Sequence, residues 1–278
     1  MRTHVLRRML FVVMMMVGLI GVSSAALAAA VVYEPFDMEA GSLNGKAGGT
    51  GISGNWSINQ TVEVQVPPTL DYGNLGNAGG QVRVNAGNNT WAAATTTAAL
   101  ADAGLLDDGA TLWFSLVLQK NNQGSSNDQS GFAFGTGRVN SGASGVDMED
   151  SGYGLGAYTR SGVQASSWSN GSRSGGGTAS LTTGEPSLVV GKMVWGATEE
   201  DDETITIWTR PLDNIGTEPT EGGATRSTAG FDQSQLNIIS FGQRNSGGDV
   251  FYDEIRFGAT FAAVTPPPPP TGTVIIIH

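Results

Sequence analysis

The feature that most restricts this chain is a period of two. Apolar and polar residues alternate over short runs at 61–68 (TVEVQVPP), 81–85 (QVRVN), 111–120 (TLWFSLVLQK), 131–135 (GFAFG), 153–160 (YGLGAYTR), 163–169 (VQASSWS), 187–197 (SLVVGKMVWGA), 203–210 (ETITIWTR), 236–244 (LNIISFGQR) and 249–261 (DVFYDEIRFGATF). Successive side chains of a strand point to opposite faces, so each run offers one face to a core and the other elsewhere. Gly, Asn, Ser and Asp fill the intervals, and the 41 glycines suit many tight turns. Helical spacing is confined to 97–109 and 228–236. Many strands with almost no helix predict an all-β, two-sheet antiparallel sandwich or a barrel.

The chain ends read differently from this body. A cationic start (MRTHVLRR), an apolar run (MLFVVMMMVGLIGV) and a small-residue exit with an A-x-A site at Ala26 to Ala28 predict a signal peptide over 1–28. Its apolar run is short of the roughly 20 residues a membrane span needs, so no transmembrane helix is expected after cleavage. One domain over 29–264 follows, then a proline-rich tail, 265–278, stiff and extended. The expected location is secreted or at the cell surface.

Composition then removes whole classes of chemistry. The two histidines, His4 and His278, stand outside the predicted domain, which excludes Ser-His-Asp and Cys-His catalysis and His-ligated zinc. Cysteine is absent, so burial alone must hold the domain, and a chain of this length suffices. Loss of Arg2, Arg7 and Arg8 with the signal, and of no acid, takes the net charge from -11 to -14. Such a surface repels phosphate backbones, so nucleic acid is not an expected partner.

What remains is carboxylates and aromatic planes. On strict alternation Asp253 shares a face with Phe251, Ile255 and Phe257, and needs a structural partner there. Glu254 then lies on the opposite, solvated face within reach of Arg256, so the pair cannot flank one glycosidic bond at roughly 5–9.5 Å. Asp147, Glu149 and Asp150, beside a glycine, are candidate calcium ligands, because that ion takes oxygens from short acidic loops. A sugar ring needs an aromatic plane beside hydrogen-bonding groups. Trp113 and Trp208 fall on the more polar faces of their runs, Trp208 together with Arg210, and Trp168 lies between serines as a loop platform. These four are the candidate ligand-binding residues; Trp56 and Trp195 look like core.

Three segments carry a resemblance: YEPFDMEAGSLNGKAGGTGISGNW (33–56), LVVGKMVWGA with ETITIWTRP as a long hairpin, and YDEIRFGATFAAVTP as closing strand and exit. They resemble exported bacterial domains of the concanavalin A-like lectin/glucanase class, laminin-G-like jelly rolls of planctomycete-type surface proteins. The end of the chain departs from that pattern, lacking the longer apolar helix and basic finish of a sorting tail. The resemblance implies a jelly-roll sandwich and a polysaccharide or glycan partner, with calcium carried by some such domains and no other cofactor. In the glucanases of that class an E-x-D-x-E strand supplies the catalytic carboxylates, and Glu199, Asp201 and Glu203 reproduce the spacing, although in a polar connection between two strands. The expectation is a non-catalytic, carbohydrate-binding module; the alternatives are a carboxylate-dependent polysaccharide hydrolase and a purely structural envelope or matrix protein.

Overall fold

The computed structural model describes residues 29–265 apart from 68–69, 71–78, 86–88, 122–127, 143–144, 199, 213–214 and 245–247. The expected signal, and the tail from 266 onward, lie outside the described residues. Within them no helix is long and apolar enough to cross a membrane.

The chain forms the strands β1 (Val32–Glu34), β2 (Gly41–Ser42), β3 (Ile52–Ile58), β4 (Val62–Gln65), β5 (Gln81–Val84), β6 (Thr90–Thr96), β7 (Thr111–Lys120), β8 (Gln129–Gly135) and β9 (Val139–Gly142). They continue with β10 (Gly145–Met148), β11 (Gly154–Thr159), β12 (Val163–Ser169), β13 (Ser172–Ala179), β14 (Ser187–Val194), β15 (Glu203–Pro211), β16 (Ala224–Thr228), β17 (Ile238–Arg244) and β18 (Val250–Gly258). One sheet runs β16-β15-β14-β7-β18-β5-β4-β2, with β1 also on β18; the other runs β13-β12-β11-β8-β17-β6-β3. All pairings are antiparallel, and the chain crosses repeatedly between the sheets, which makes a jelly-roll sandwich.

The period of two explains the interior. Leu112, Phe114, Leu116 and Leu118 of β7 and Ile205 and Ile207 of β15 meet Phe132 and Phe134 of β8 and Ile239 and Phe241 of β17 between the layers. Phe114 stacks on Phe132 at 5.5 Å, and its ring fills the place of a side chain on β14: a Cβ on Gly191 would stand 1.9 Å from it. Trp56 and Trp195 are in this core, as expected.

Strict alternation fails on β18. Leu116 of β7 faces two residues there, Glu254 and Ile255, between the pairs Asp253–Val117 and Arg256–Ser115. This is a β-bulge, with Glu254 at φ 52°. The extra residue resets the alternation, so Val250 and Tyr252 and then Ile255 and Phe257 all face the main core, while Phe251 joins a second cluster on the other face. The expected grouping of Asp253 with Ile255 and Phe257 is therefore corrected. Asp253 does have a structural role: its Oδ1 accepts the N–H of Glu254 at 2.7 Å, inside the bulge. Glu254 reaches Arg256 as expected but is buried rather than solvated, and Tyr33 Oη donates to it at 3.0 and 3.1 Å. Burial and the Glu254 charge push the Tyr33 hydroxyl up to about 12.

The outer face of the larger sheet is covered too. Trp113, Val117, Leu188, Val190, Trp208 and Phe251 pack beneath Phe261 and Val264 of a short C-terminal helix, Phe261–Val264. Ser115 Oγ donates to the Val264 carbonyl at 2.6 Å, which fastens the helix down.

Candidate functional site

The outer face of the seven-stranded sheet is paved with small residues. One cross-strand row runs Trp91–Gly242–Gly131–Tyr158, and the next runs Ala93–Ser240–Ala133–Gly156–Ser166. Glycine and alanine leave a trough between two aromatic rings, and the β9–β10 hairpin lies in it. Val139, Val146 and Met148 pack with Ala133, Tyr158 and Trp168, and a Cβ on Gly131 would meet Val146 at 3.0 Å. Ser240 Oγ accepts the N–H of Val139 at 3.0 Å, and Trp168 Nε1 donates to the Val146 carbonyl at 3.0 Å. The hairpin is thus tied to the floor by polar as well as apolar contacts.

Each ring of the first row carries an arginine. The Arg138 guanidinium lies 3.9 Å from the Trp91 centroid and that of Arg173 lies 3.7 Å from the Tyr158 centroid, both cation–π distances. Beside Arg138 opens a groove of about 280 Å³, lined by Asn55 and Ser57 of β3, Ala93, Ala94 and Thr95 of β6, Ile238 of β17, and the connection Thr136, Gly137, Arg138, Glu149 and Asp150. Arg138 Nε donates to Glu149 Oε2, and Asn140 Nδ2 donates to Glu149 Oε1 at 2.7 Å. The groove thus presents an amide, three hydroxyls and an oriented guanidinium–carboxylate pair. Such a set makes directed hydrogen bonds to a hydroxylated ligand, because each planar group can serve two neighbouring oxygens.

The residues expected from the sequence are distributed otherwise. Trp113 and Trp208 stack on each other at 5.9 Å and are 3% and 8% exposed. Trp208 forms part of a second groove of about 510 Å³, with Lys192, Thr206, Thr225 and residues 218–223. Its Nε1 is bound to the Glu221 carbonyl and Gly223 packs against its pyrrole edge, so no open aromatic plane is offered there. Arg210 stands one row beyond and outside that groove. Trp168 is fully buried on β12 under the hairpin, not a loop platform. The segments that roof these rings are remote in sequence, so local alternation could not reveal the cover.

The acidic candidates do not converge either. Glu199 lies outside the described residues, Asp201 accepts from Thr198 Oγ1 in an exposed turn, and Glu203 points into the inter-sheet core, where Gly196 N–H donates to it at 2.9 Å. Burial raises the Glu203 carboxyl, opposed by the backbone N–H of Gly196. Glu149 and Asp150 border the 280 Å³ groove, whereas Asp147 Oδ1 takes the N–H of Arg173 on the other side of the hairpin. Among the described residues no three acidic side chains gather as an ion nest would require. Asn55, Ser57, Thr95 and Arg138 went unremarked in the sequence because β3 and β6 carry no clean alternation; the one local signal was a lone arginine in an acidic chain.

No family model and no curated protein matches the chain. Among solved structures, it is similar to a protein of unknown function from Shewanella oneidensis MR-1, at 13% identity over 86% of this chain and 90% of that one, with a TM-score of 0.49. It is similar to an endo-β-1,4-glucuronan lyase from the fungus Trichoderma reesei, at 12% identity over 85% and 98%, with a TM-score of 0.48. The carbohydrate recognition domain of Emp46p follows at 12% identity over 73% and 87%, with a TM-score of 0.40. At such values no residue role passes from these proteins to this chain.

Proposed function

We propose that the domain is a non-catalytic, extracellular module that binds a carbohydrate polymer along the outer face of the seven-stranded sheet. The observation that carries this reading is the groove beside Arg138, open to solvent and lined by fixed donors and acceptors. Its volume of about 280 Å³ lies near the lower end of the range for small-ligand pockets, roughly 300–1,000 Å³, which suits one or two sugar units of a longer chain. Hydrolysis is disfavoured because Asp147, Asp201 and Glu203 are each held at separate places by protein donors, and Glu149, which borders the groove with Asp150, is taken up by Arg138 and Asn140.

Thr95→Trp tests the site. Thr95 is exposed on β6, so an indole there fills the groove without entering the core. In affinity electrophoresis of the full-length chain through a panel of soluble polysaccharides, at least one polymer is expected to retard the wild type and not the variant. Retardation by none, or equal retardation of both proteins, removes the reading. The burial of Trp113, Trp208 and Trp168 favours the other reading, a purely structural envelope protein, and that is the result such an outcome would leave.

A further inference from the structure

At the far side of the hairpin the same sheet face becomes cationic. Arg244 of β17 is paired across from Gln129 of β8, and Arg160 follows the Thr159–Ser130 pair, so the two arginines flank Gln129 from opposite sides. With neighbouring strands about 4.8 Å apart, their Cα atoms stand roughly 10 Å apart. The next row on this face is that of Tyr158, roofed by Arg173. The charges of Arg160, Arg173 and Arg244 all act on the Tyr158 ring, and of the described acids Asp147 faces them.

Like Arg210 and Arg226, and unlike Arg83, Arg138 and Arg256, these guanidinia have no ion pair among the described residues. Arg173 Nη1 reaches only uncharged oxygens, Gln164 Oε1 and Ser166 Oγ, both at 3.4 Å, and its Nε is buried with no acceptor. Three cations thus stand around one ring, in a chain whose formal charge is -11, with Asp147 as the acid that acts on that ring and on Arg173.

We infer that Arg160, Arg173 and Arg244 form a subsite for carboxylate or sulfate groups, so that the polymer bound on this face is an anionic polysaccharide. The inference rests on the glycan-binding reading of the face above. Guanidinium forks match the two oxygens of a carboxylate or sulfate, and the aromatic ring under Arg173 holds one fork in place. The chain's net charge of -11 sets a limit on the charge density of what it binds. Duplex nucleic acid carries one charge per roughly 1.7 Å and meets strong repulsion, whereas a glycan brings its charges a sugar ring apart.

The test is affinity electrophoresis of the full-length chain in gels holding polygalacturonate, dextran sulfate, unsubstituted dextran or duplex DNA, with Arg160→Gln/Arg244→Gln and Thr95→Trp beside the wild type. Polygalacturonate or dextran sulfate is expected to retard the wild type more than dextran does, which also separates the carboxylate from the sulfate. The double arginine variant is expected to bind that polymer about tenfold more weakly, with a shallower salt dependence, as for two lost surface charge contacts. Binding of dextran with no preference for the charged polymers, or an unaffected double variant, overturns the subsite and leaves the glycan reading standing. DNA retardation equal to that by dextran sulfate overturns it in favour of indiscriminate polyanion binding. Failure of every polysaccharide overturns both.

Discussion

Glu34 on β1 is buried with both carboxylate oxygens in use. Oε1 accepts the N–H of Phe36 at 2.8 Å; Oε2 accepts the N–H of Gly49 and Nε1 of Trp56, each at 2.9 Å. It therefore joins β1, the turn before β3, and the Trp56 indole that packs on Phe36 and Phe241. Glu34→Leu fills the space and orphans three donors, those of Phe36 and Trp56 buried and that of Gly49 part-buried. Each orphan costs about 1–3 kcal/mol, offset in part by relief of a carboxylate whose burial raises its pKa. The expected net loss is about 3–5 kcal/mol, a large part of the roughly 5–15 kcal/mol that holds a domain together. In a chain of this size that lowers Tm by roughly 6–20 °C. Glu34→Gln keeps an acceptor for two donors but turns an NH₂ toward the third, so about 1–3 kcal/mol is expected. Urea unfolding followed by tryptophan fluorescence measures both. If Glu34→Leu unfolds within 1 kcal/mol of the wild type, the three-donor account of this corner is wrong.

Two further substitutions probe buried charge. Burial raises the Glu203 carboxyl, so the folded state binds its proton more tightly than the unfolded state, whose value lies near 4.5. The stability this group contributes is full below that value and is lost as pH rises through the higher folded one. Glu203→Gln is thus expected to flatten the loss of stability as pH rises above the unfolded value, and an unchanged profile in pH-dependent urea melts would count against it. Arg256→Ala removes the ion partner of buried Glu254 and leaves Tyr33 as its remaining donor; a loss of about 3–5 kcal/mol is expected in the same melts. A change under 1 kcal/mol would show that the pair is solvated in practice.

How much was legible beforehand varies with how local the cause is. The run TLWFSLVLQK became β7 with Leu112, Phe114, Leu116 and Leu118 inward, because alternation alone decides which side of a strand is oily. SRSGGGTA became β13 with no such warning: Gly176 would press a Cβ to 2.2 Å from the Thr225 carbonyl, so Gly176 and Gly177 answer to β16, a strand remote in the chain. The row assignment of Asp253 failed for a related reason, since one inserted residue at Glu254 reverses every later position and leaves no mark in the pattern.

From sequence alone come the strands, the turns between them, the absence of histidine chemistry in the body and the all-β sandwich, since each depends on residues near one another in the chain. Tertiary structure decided what covers the outer faces. It sealed Trp113 and Trp208 beneath the C-terminal helix and a loop, and laid the hairpin in a glycine trough. It also drew Arg160, Arg173 and Arg244 to one tyrosine. Which side of a strand meets solvent is set by segments that arrive from far along the chain, and a pattern of period two cannot encode their arrival.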